Sequence, residues 1–281
     1  DLRVSAAEGT GGTRGPDAVA ERVWRRFTPA QRVGRFAVYL GIVVAIVASL
    51  KSVEVIPEFL LDAHEQIGDM LNRMWPIAFD YYPAGIHDAL VDSLHIATLG
   101  TVLAVVLAVP VGFLAARNVT PSPVLNLIAR TILVSTRSVN TLIWALFFVA
   151  VFGPGALAGT LAIAFHSIGF TGKLLGEALE ESNRGSIEAL EAAGAPLASQ
   201  IVKGYWPQVK PSFWAIVLFR WDINVRESAV LGLVGAGGIG MVLDTAMNLF
   251  QWERVAMVLL AIFGVVIVAE FVTTQIRKRI I

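Results

Sequence analysis

Residues 188–207 read EALEAAGAPLASQIVKGYWP, a stretch that looks soluble although long apolar segments lie on both sides of it. Helix-forming residues fill its first part, and Gly194 then offers the left-handed conformation that closes a helix. Pro196 follows, where the same helix cannot continue. A second short helix is expected over about 197–205, ending before Pro207. The stretch therefore predicts a two-helix elbow at one face of a membrane bundle, with a surface of small side chains suited to insertion into a cleft on another protein.

The composition of the whole chain is that of a membrane protein. Of its 281 residues, 56% are hydrophobic and 16% are charged, whereas soluble domains have about 25% charged residues. The formal net charge is zero, which gives no argument for a nucleic-acid partner. The absence of cysteine excludes disulfides and thiolate metal sites from this sequence. We therefore expect an all-α membrane protein with no metal site.

Six segments are apolar and long enough to cross a bilayer, which takes about 20 residues. They are residues 33–50, 93–116, 124–152, 156–175, 213–234 and 255–275. Polar residues interrupt the third segment, so it either kinks or pairs with a short re-entrant piece. Basic residues lie before the first span and after the last, which predicts that both termini are cytoplasmic. The expected organisation is a partly disordered cytoplasmic tail (1–32) and a transmembrane domain (33–281), with an external segment (51–92) and a cytoplasmic loop (177–211).

Residues 56–74 of the external segment have apolar side chains at helical spacing, with acidic side chains on the other face. Such a helix lies on the outer leaflet or supports an external partner. Packing on the bundle is the alternative that the pattern favours.

The fifth span contains charged side chains at bilayer depth, where one ionised group costs about 2.5–3.5 kcal/mol. At about 100° per residue, Arg220, Asn224 and Glu227 share one face. We expect this face to border a substrate pathway or, alternatively, to form internal ion pairs. Asp222 and Arg226 have the i,i+4 spacing of a structural ion pair.

Three further polar groups, Arg137, Asn140 and His166, lie deep in the third and fourth spans. No carboxylate near Arg137 in the sequence balances its charge. Together with Arg220, Asn224 and Glu227, these groups predict a polar, net-positive route for an oxyanion, because guanidinium groups bind phosphorus oxyanions through paired donors.

Glycines cluster after the fifth span, at Gly235, Gly237, Gly238 and Gly240. Their G-x-G-x-x-G pattern is typical of dinucleotide sites only when it follows a strand. A membrane helix precedes it here, so we interpret the run as a flexible external turn that dips into the bundle near a gate.

Two other glycine pairs, 155/159 and 172/176, match G-x-x-x-G and permit close helix packing, either between subunits or within one. No ATP-binding loop is recognisable, since Gly172 and Lys173 are followed by Leu174 rather than Ser or Thr. Any hydrolysis of ATP would therefore take place on another chain, and we expect no cofactor in this one.

Several motifs together resemble one known family, the permease subunits of phosphonate/phosphate ABC importers, from about residue 74 onward. The matching runs are LAARN (114–118), LIWAL (142–146), HSIG (166–169), FRWDINVR (219–226) and LGLVGAGGIG (231–240). The elbow adds Glu188, Ala189, Gly194 and Pro207 at the spacing Glu-Ala-x4-Gly-x12-Pro.

This resemblance implies a type I ABC importer permease fold of six transmembrane helices, working as a homodimer with two copies of an ABC ATPase and an external solute-binding protein. It implies ATPase coupling through the elbow residues Glu188, Ala189, Gly194, Tyr205, Trp206 and Pro207. The sequence departs from the family pattern at Leu190, Gly204, Trp206 and Asp222, which puts details of the ATPase contact in doubt.

The expected function is that of a permease subunit in a bacterial inner membrane, in contact with lipid, that moves phosphonate or a related oxyanion into the cytoplasm and is not itself an enzyme. One alternative keeps the machinery and changes the cargo to methionine or another small solute. A second is a secondary transporter that uses Asp222 or Glu227 as a proton carrier. A membrane enzyme acting on phosphorylated lipid is disfavoured, because no nucleophile–base pair is recognisable in the sequence.

Overall fold

The computed structural model describes residues 29–53 and 57–280. Most of the predicted disordered tail therefore lies outside the described residues. The chain divides into two compact units, residues 1–64 and 65–281. Helix α1, Pro29–Ser52, is an apolar helix in the first unit and coincides with the first expected span, although it begins inside the expected tail.

Helix α2, Pro57–Arg73, lies in the expected external segment. Ile67, Met70 and Leu71, which belong to the second unit, are exposed along its apolar side. The favoured interpretation, a helix packed on the bundle, is therefore wrong for residues 65–73. An apolar face that its own unit leaves uncovered fits a helix lying at a membrane surface, which stays a prediction.

The remaining helices belong to the second unit, and no strand occurs among the described residues. They are α3 (His87–Ala115, preceded by a π-helical turn Tyr82–Ile86), α4 (Pro123–Ser138), α5 (Thr141–Phe152), α6 (Ala156–Glu180), α7 (Arg184–Ala192), α8 (Leu197–Ser199), α9 (Trp206–Leu231), α10 (Ile239–Asn248) and α11 (Trp252–Ile280). Helix α3 begins inside the expected external segment, and the bounds 51–92 of that segment stay a prediction.

Helix α6 is the centre of the second unit and packs against α3, α4, α5 and α9. A Cβ atom at Gly112 of α3 would lie 3.0 Å from the carbonyl oxygen of Gly172 in α6. In the same way, a Cβ atom at Gly176 would lie 3.3 Å from the carbonyl oxygen of Gly112. The carbonyl oxygen of Ala236 lies so close to Gly159 that it leaves no room for a Cβ atom there. These small residues therefore allow backbones to approach within one chain.

The count of six spans stays a prediction. Among the described residues, three helices are long and apolar enough to cross a membrane by themselves: Ala30–Ser52, Tyr82–Ala115 and Trp252–Ile280. The number rises to five if each of two bent helix pairs is taken as one span. Helix α6 falls outside this group although it matches the fourth expected span, because its Gly, Ser, His and charged residues lower its mean hydropathy.

The third expected span is two helices, α4 and α5, bent by 89°. Val139 and Asn140 form the break, which we call the bend. The side-chain oxygen of Asn140 caps α5 by accepting from the Leu142 amide at 2.9 Å. His166 Nδ1 of α6 lies 3.0 Å from the Val139 carbonyl oxygen, so α6 holds the bend in place. The interruption expected from the polar residues is confirmed as a sharp bend, which fits either a kinked span or a re-entrant piece.

The glycine run forms a tight turn between α9 and α10, with positive φ at Gly235, Gly237 and Gly238. The Gly155 amide donates to the Gly235 carbonyl at 2.9 Å. The Ile239 amide donates to Ser93 Oγ of α3 at 2.8 Å. The turn thus dips into the bundle as expected, held by these bonds and by the burial of Ala236 and Ile239, and its flexibility stays a prediction.

Candidate functional site

Two cavities lie along α6, one on each side of the bend. The first, which we call the bend cavity, has a volume of about 320 Å³. It is lined by Asn140, Thr141, Leu142, His166, Arg226, Glu227, Val230 and Leu231. Of the predicted pathway residues, it brings together Asn140, His166 and Glu227.

A buried polar network lies behind the bend cavity and joins α5, α6 and α9. Arg220 is 3% exposed, and its Nη2 atom lies 3.2 Å from Glu227 Oε2. Arg220 Nε donates to Ser167 Oγ at 2.8 Å. Thr141 Oγ1 donates to Glu227 Oε2 at 2.9 Å. The guanidinium, withdrawn from water, is thus compensated by a carboxylate and a hydroxyl, as a buried charge requires.

Asn224 extends this network to α3. Its Nδ2 atom donates to Thr101 Oγ1 at 2.7 Å, and its side-chain oxygen accepts from Ser167 Oγ at 3.2 Å. Arg220 and Asn224 therefore lie on one face with Glu227, as predicted. The two residues are buried behind the bend cavity rather than lining it, because hydroxyl groups of α3 and α6 cover them.

The predicted ion pair between Asp222 and Arg226 is present within α9. The Asp222 side chain is largely buried, whereas that of Arg226 is 49% exposed and lines the bend cavity. Arg226, predicted to be structural only, is thus a cation in contact with this space.

The second cavity, which we call the basic cavity, lies between α4 and the elbow end of α6, with a volume of about 190 Å³. It is lined by Ala115, Arg130, Leu133, Val134, Arg137, Lys173, Gly176, Glu177 and Glu180. Arg137 is therefore separated from Asn140 and His166, since the bend directs α4 and α5 apart. Two carboxylates line the same cavity, but neither forms an ion pair with Arg137 in the described part of the chain, so its charge is unbalanced as expected.

Both carboxylates of the basic cavity already have partners. Arg130 Nη2 lies 2.6 Å from Glu180 Oε1, and Lys173 Nζ lies 3.3 Å from Glu177 Oε1. Sequence reasoning missed these four residues as site candidates. The signal was available, since Lys173, Glu177 and Glu180 share one face of a single helix with His166.

The predicted elbow follows α6. Asn183 caps α7 by accepting from the Gly185 amide at 2.9 Å. Gly194 adopts φ 73°, and its amide donates to the Glu191 carbonyl at 2.8 Å, which closes the helix as expected. The end predicted before Pro207 is wrong, because a π-helical turn over Gln200–Tyr205 leads directly into α9. Proline is tolerated in the first turn of a helix, so the second arm of the elbow is continuous with α9.

Two departures from the family pattern compensate for each other in the elbow. A Cβ atom at Gly204 would lie 2.6 Å from Ile187 Cδ1 and 3.1 Å from Leu190 Cδ1. The side chains of Ile187 and Leu190 therefore share the space that a side chain at 204 would need. This exchange holds the two arms together.

The elbow residues predicted for ATPase coupling divide into an exposed set and a packed set. Glu188, Ala189, Gly194 and Pro207 are exposed. Tyr205 is 5% exposed and its hydroxyl donates to the Asn118 carbonyl at 3.2 Å. Burial raises the pKa of the Tyr205 phenol, so the neutral donor persists. Tyr205 therefore fixes the elbow to the loop after α3 and does not belong to its outer surface.

Comparison with known proteins gives a family match and similar relatives. A family model described as "Binding-protein-dependent transport system inner membrane component" matches residues 108–281. Phosphate-import permease protein PhnE of Mycolicibacterium smegmatis is 38% identical over 83% of this chain and 44% of its own length. Phosphite transport system permease protein PtxC of Stutzerimonas stutzeri is 38% identical over 78% of this chain and 80% of its own length. The chain thus spans less than half of the first relative and most of the second.

Among solved structures, a chain of the MetNI methionine ABC transporter in inward-facing conformations has a TM-score of 0.60. It is 22% identical, and the match covers 70% of this chain and 96% of that chain. A likeness at this identity concerns the fold alone. It confirms the all-α fold class expected from the sequence.

Proposed function

The chain belongs to the family of binding-protein-dependent transport system inner membrane components, and on that premise we propose that it is the permease subunit of an ATP-driven importer of phosphorus oxyanions. Family membership and the long apolar helices make it a multi-pass membrane protein. The observation that supports a phosphorus oxyanion as the cargo is the likeness to a phosphite permease over most of both chains. The fold does not select a cargo, since a methionine transporter shares it.

The proposed route for the oxyanion passes the bend cavity, where His166, Asn140, Arg226 and Glu227 meet. Arg226 is bonded to Asp222 through Nε and Nη2, and the Nη1 group of its half-exposed guanidinium is left to donate to an oxygen of phosphonate, phosphite or phosphate. Arg220 and Asn224 support this wall from behind. The packed glycine turn from Gly235 to Gly240 would be part of the gate next to α3.

The proposed assembly is a homodimer with two ATPase subunits, which hold ATP and Mg²⁺, and an external solute-binding protein. The exposed surface of the elbow at Glu188, Ala189 and Gly194 would insert into the ATPase. Continuity of the second arm with α9 gives ATPase closure a direct connection to the bend cavity. Residues 177–211 and both termini would then be cytoplasmic, with 1–32 as a tail and 33–281 as the transmembrane domain.

A proton-coupled transporter is the weaker candidate. Its carriers would be Asp222 and Glu227, and each of these carboxylates is paired with an arginine in the same helix. Both carboxylates are thus engaged within α9, whereas a proton carrier needs a carboxylate that is free to change partners during the cycle.

The test uses the full chain reconstituted in vesicles with its ATPase and binding protein. We expect uptake of labelled phosphonate or phosphite that requires ATP and both partners. Vesicles without the ATPase are the control for leakage. Uptake driven by a proton gradient alone, or ATP-driven uptake of methionine with none of phosphonate, phosphite or phosphate, would refute the proposal.

A further inference from the structure

Arg137 is a cation without a partner in the basic cavity. Its side chain makes no hydrogen bond or ion pair within residues 29–53 and 57–280, whereas those of its neighbours Arg130 and Lys173 are each paired. The Arg137 side chain is exposed, and its Cβ atom lies beside α6 at Gly169. An exposed guanidinium at the wall of a cavity, with no carboxylate paired to it, has its donors available for an anion.

The basic cavity can take a small anion. Its volume of about 190 Å³ is far larger than the ~10–15 Å³ that one water molecule occupies. Three cations and two carboxylates line it, which leaves a net charge of +1. Because Glu177 and Glu180 compete for the same cations, an anion would bind weakly and leave readily.

The basic cavity and the bend cavity lie on one stripe of α6. His166 faces the bend cavity, while Lys173, Glu177 and Glu180 face the basic cavity. The stripe from His166 to Glu180 is about 21 Å long along the helix axis. Gly169 lies between them on this stripe. A Cβ atom there would lie 2.6 Å from Thr136 Oγ1 and 2.9 Å from Arg137 Cβ, so α4 closes the space between the two cavities.

We propose that the basic cavity is a second binding site for a phosphate-type oxyanion, centred on Arg137 with Lys173 and Arg130, between the Gly169 constriction and the elbow. The inference rests on the proposed function for the identity of the cargo, which would occupy this site after the bend cavity and before release. A lipid headgroup has the same phosphate chemistry, and the test separates the two sources.

The experiment measures chemical modification of Arg137 by phenylglyoxal in the full chain, quantified by peptide mass spectrometry. The protein is held in a maltoside detergent free of phospholipid, with inorganic phosphate, methylphosphonate or chloride added. We expect phosphate and methylphosphonate to protect Arg137 in a saturable manner, and chloride to give no protection. Arg279, an exposed arginine in the last turn of α11, is the internal control and should react equally in all three.

A matched pair of variants tests the composition of the site. Lys173→Gln removes one cation from the cavity, and since its ion pair is about half exposed, the fold should persist. It should raise the half-protecting phosphate concentration about tenfold, as the loss of one charged contact predicts. Lys278→Gln removes an exposed cation in the last turn of α11 and should leave that concentration unchanged.

Nanodiscs that contain phosphatidylglycerol, without added phosphate, form the lipid arm. Protection of Arg137 only there would assign the site to a headgroup and overturn its place on the cargo route. Absence of protection in every arm would overturn the site altogether. No step of this experiment requires transport. If Arg137 is not protected but ATP-driven uptake is normal, the site is refuted and the proposed function stands. If Arg137 is protected but ATP-driven uptake of the oxyanion is absent, the proposed function is refuted and the site stands.

Discussion

Arg220 is the residue on which the buried network of α9 depends. Its guanidinium is withdrawn from water and compensated by Glu227 and Ser167. Removing one member of a buried pair leaves an unpaired charge, which costs more than the pair itself contributes. The side chain of Glu227 still reaches the bend cavity, so Arg220 acts on that cavity by holding Glu227 in position.

Replacement of Arg220 should therefore destabilise the protein strongly. We expect Arg220→Ala to lower the free energy of unfolding by about 3 kcal/mol, because Glu227 loses its cation in a partly buried position. Lys173→Ala, which breaks an ion pair that is about half exposed, should lower it by less than about 1 kcal/mol. Denaturant unfolding in detergent, followed by tryptophan fluorescence, compares the two. Equal losses would show that the Arg220 pair is no more buried in solution than the Lys173 pair.

Helical periodicity was sufficient to group Arg220, Asn224 and Glu227 and to pair Asp222 with Arg226. It was not sufficient to predict which of them reach a cavity. Burial of Asn224 depends on hydroxyl groups that α3 and α6 contribute, and single-helix periodicity carries no information about such neighbours. Arg137 was separated from Asn140 for a related reason, since a bend of 89° redirects the chain between them.

The two arms of the elbow pack together where Gly204 of the second arm faces Leu190 of the first. Gly204→Val should overpack the contact with Ile187 and Leu190 and cost about 1–3 kcal/mol in stability. Leu190→Ala in the same chain should recover part of that loss, because it vacates the space that valine needs. Unfolding of both single variants and the double variant gives the coupling energy. Strict additivity would mean that Leu190 and Gly204 do not compensate for each other.

Gly194 sets the angle between the arms of the elbow. At φ 73° an alanine costs about 1–2 kcal/mol, although nothing lies within 4 Å to obstruct its Cβ atom. Proline fixes φ at about −65° and removes the amide that donates to Glu191. We therefore expect Gly194→Ala to weaken, and Gly194→Pro to abolish, the coupling of ATP hydrolysis to transport.

The measurement is the ratio of ATP hydrolysed to solute imported in reconstituted vesicles. Gly185→Ala is the matched control, because Gly185 has no positive φ and lies in the first turn of the same helix α7. A normal ratio in Gly194→Pro would count against a rigid elbow.

The positions of glycine and proline in the sequence predicted the end of the first arm of the elbow correctly and the end of the second arm wrongly. Gly194 and Pro196 end α7 by local backbone geometry, which a sequence reveals directly. The continuity of residues 197–231 is a different matter, since a π-helical turn before Pro207 accommodates the proline. That turn is stabilised by packing of Tyr205 against the loop after α3, a contact between residues far apart in sequence.

At the scale of the molecule, α6 and α9 connect the candidate sites. Helix α6 carries the stripe that faces both cavities and leads into the first arm of the elbow. Helix α9 carries the buried network and is continuous with the second arm. A displacement of the elbow would therefore reach the two helices between which Ser167 and Arg220 are bonded, 2.8 Å apart.

This arrangement requires the elbow to be cytoplasmic, which the absence of cysteine makes simple to test. Single cysteines at Ser186 in the elbow and Lys278 near the end of α11 should react with a membrane-impermeant maleimide only after cells are opened. A cysteine at Asp69 in α2 should react in intact cells, since basic residues flank the spans on the opposite side. The unmodified chain is the control for background labelling.

Labelling of Ser186→Cys in intact cells would place the elbow outside, where it has no access to an ATPase, and would exclude the coupling mechanism. If Lys278→Cys alone were labelled in intact cells, the elbow would still be cytoplasmic but the end of α11 would be external. The chain would then cross the membrane an even number of times after α9.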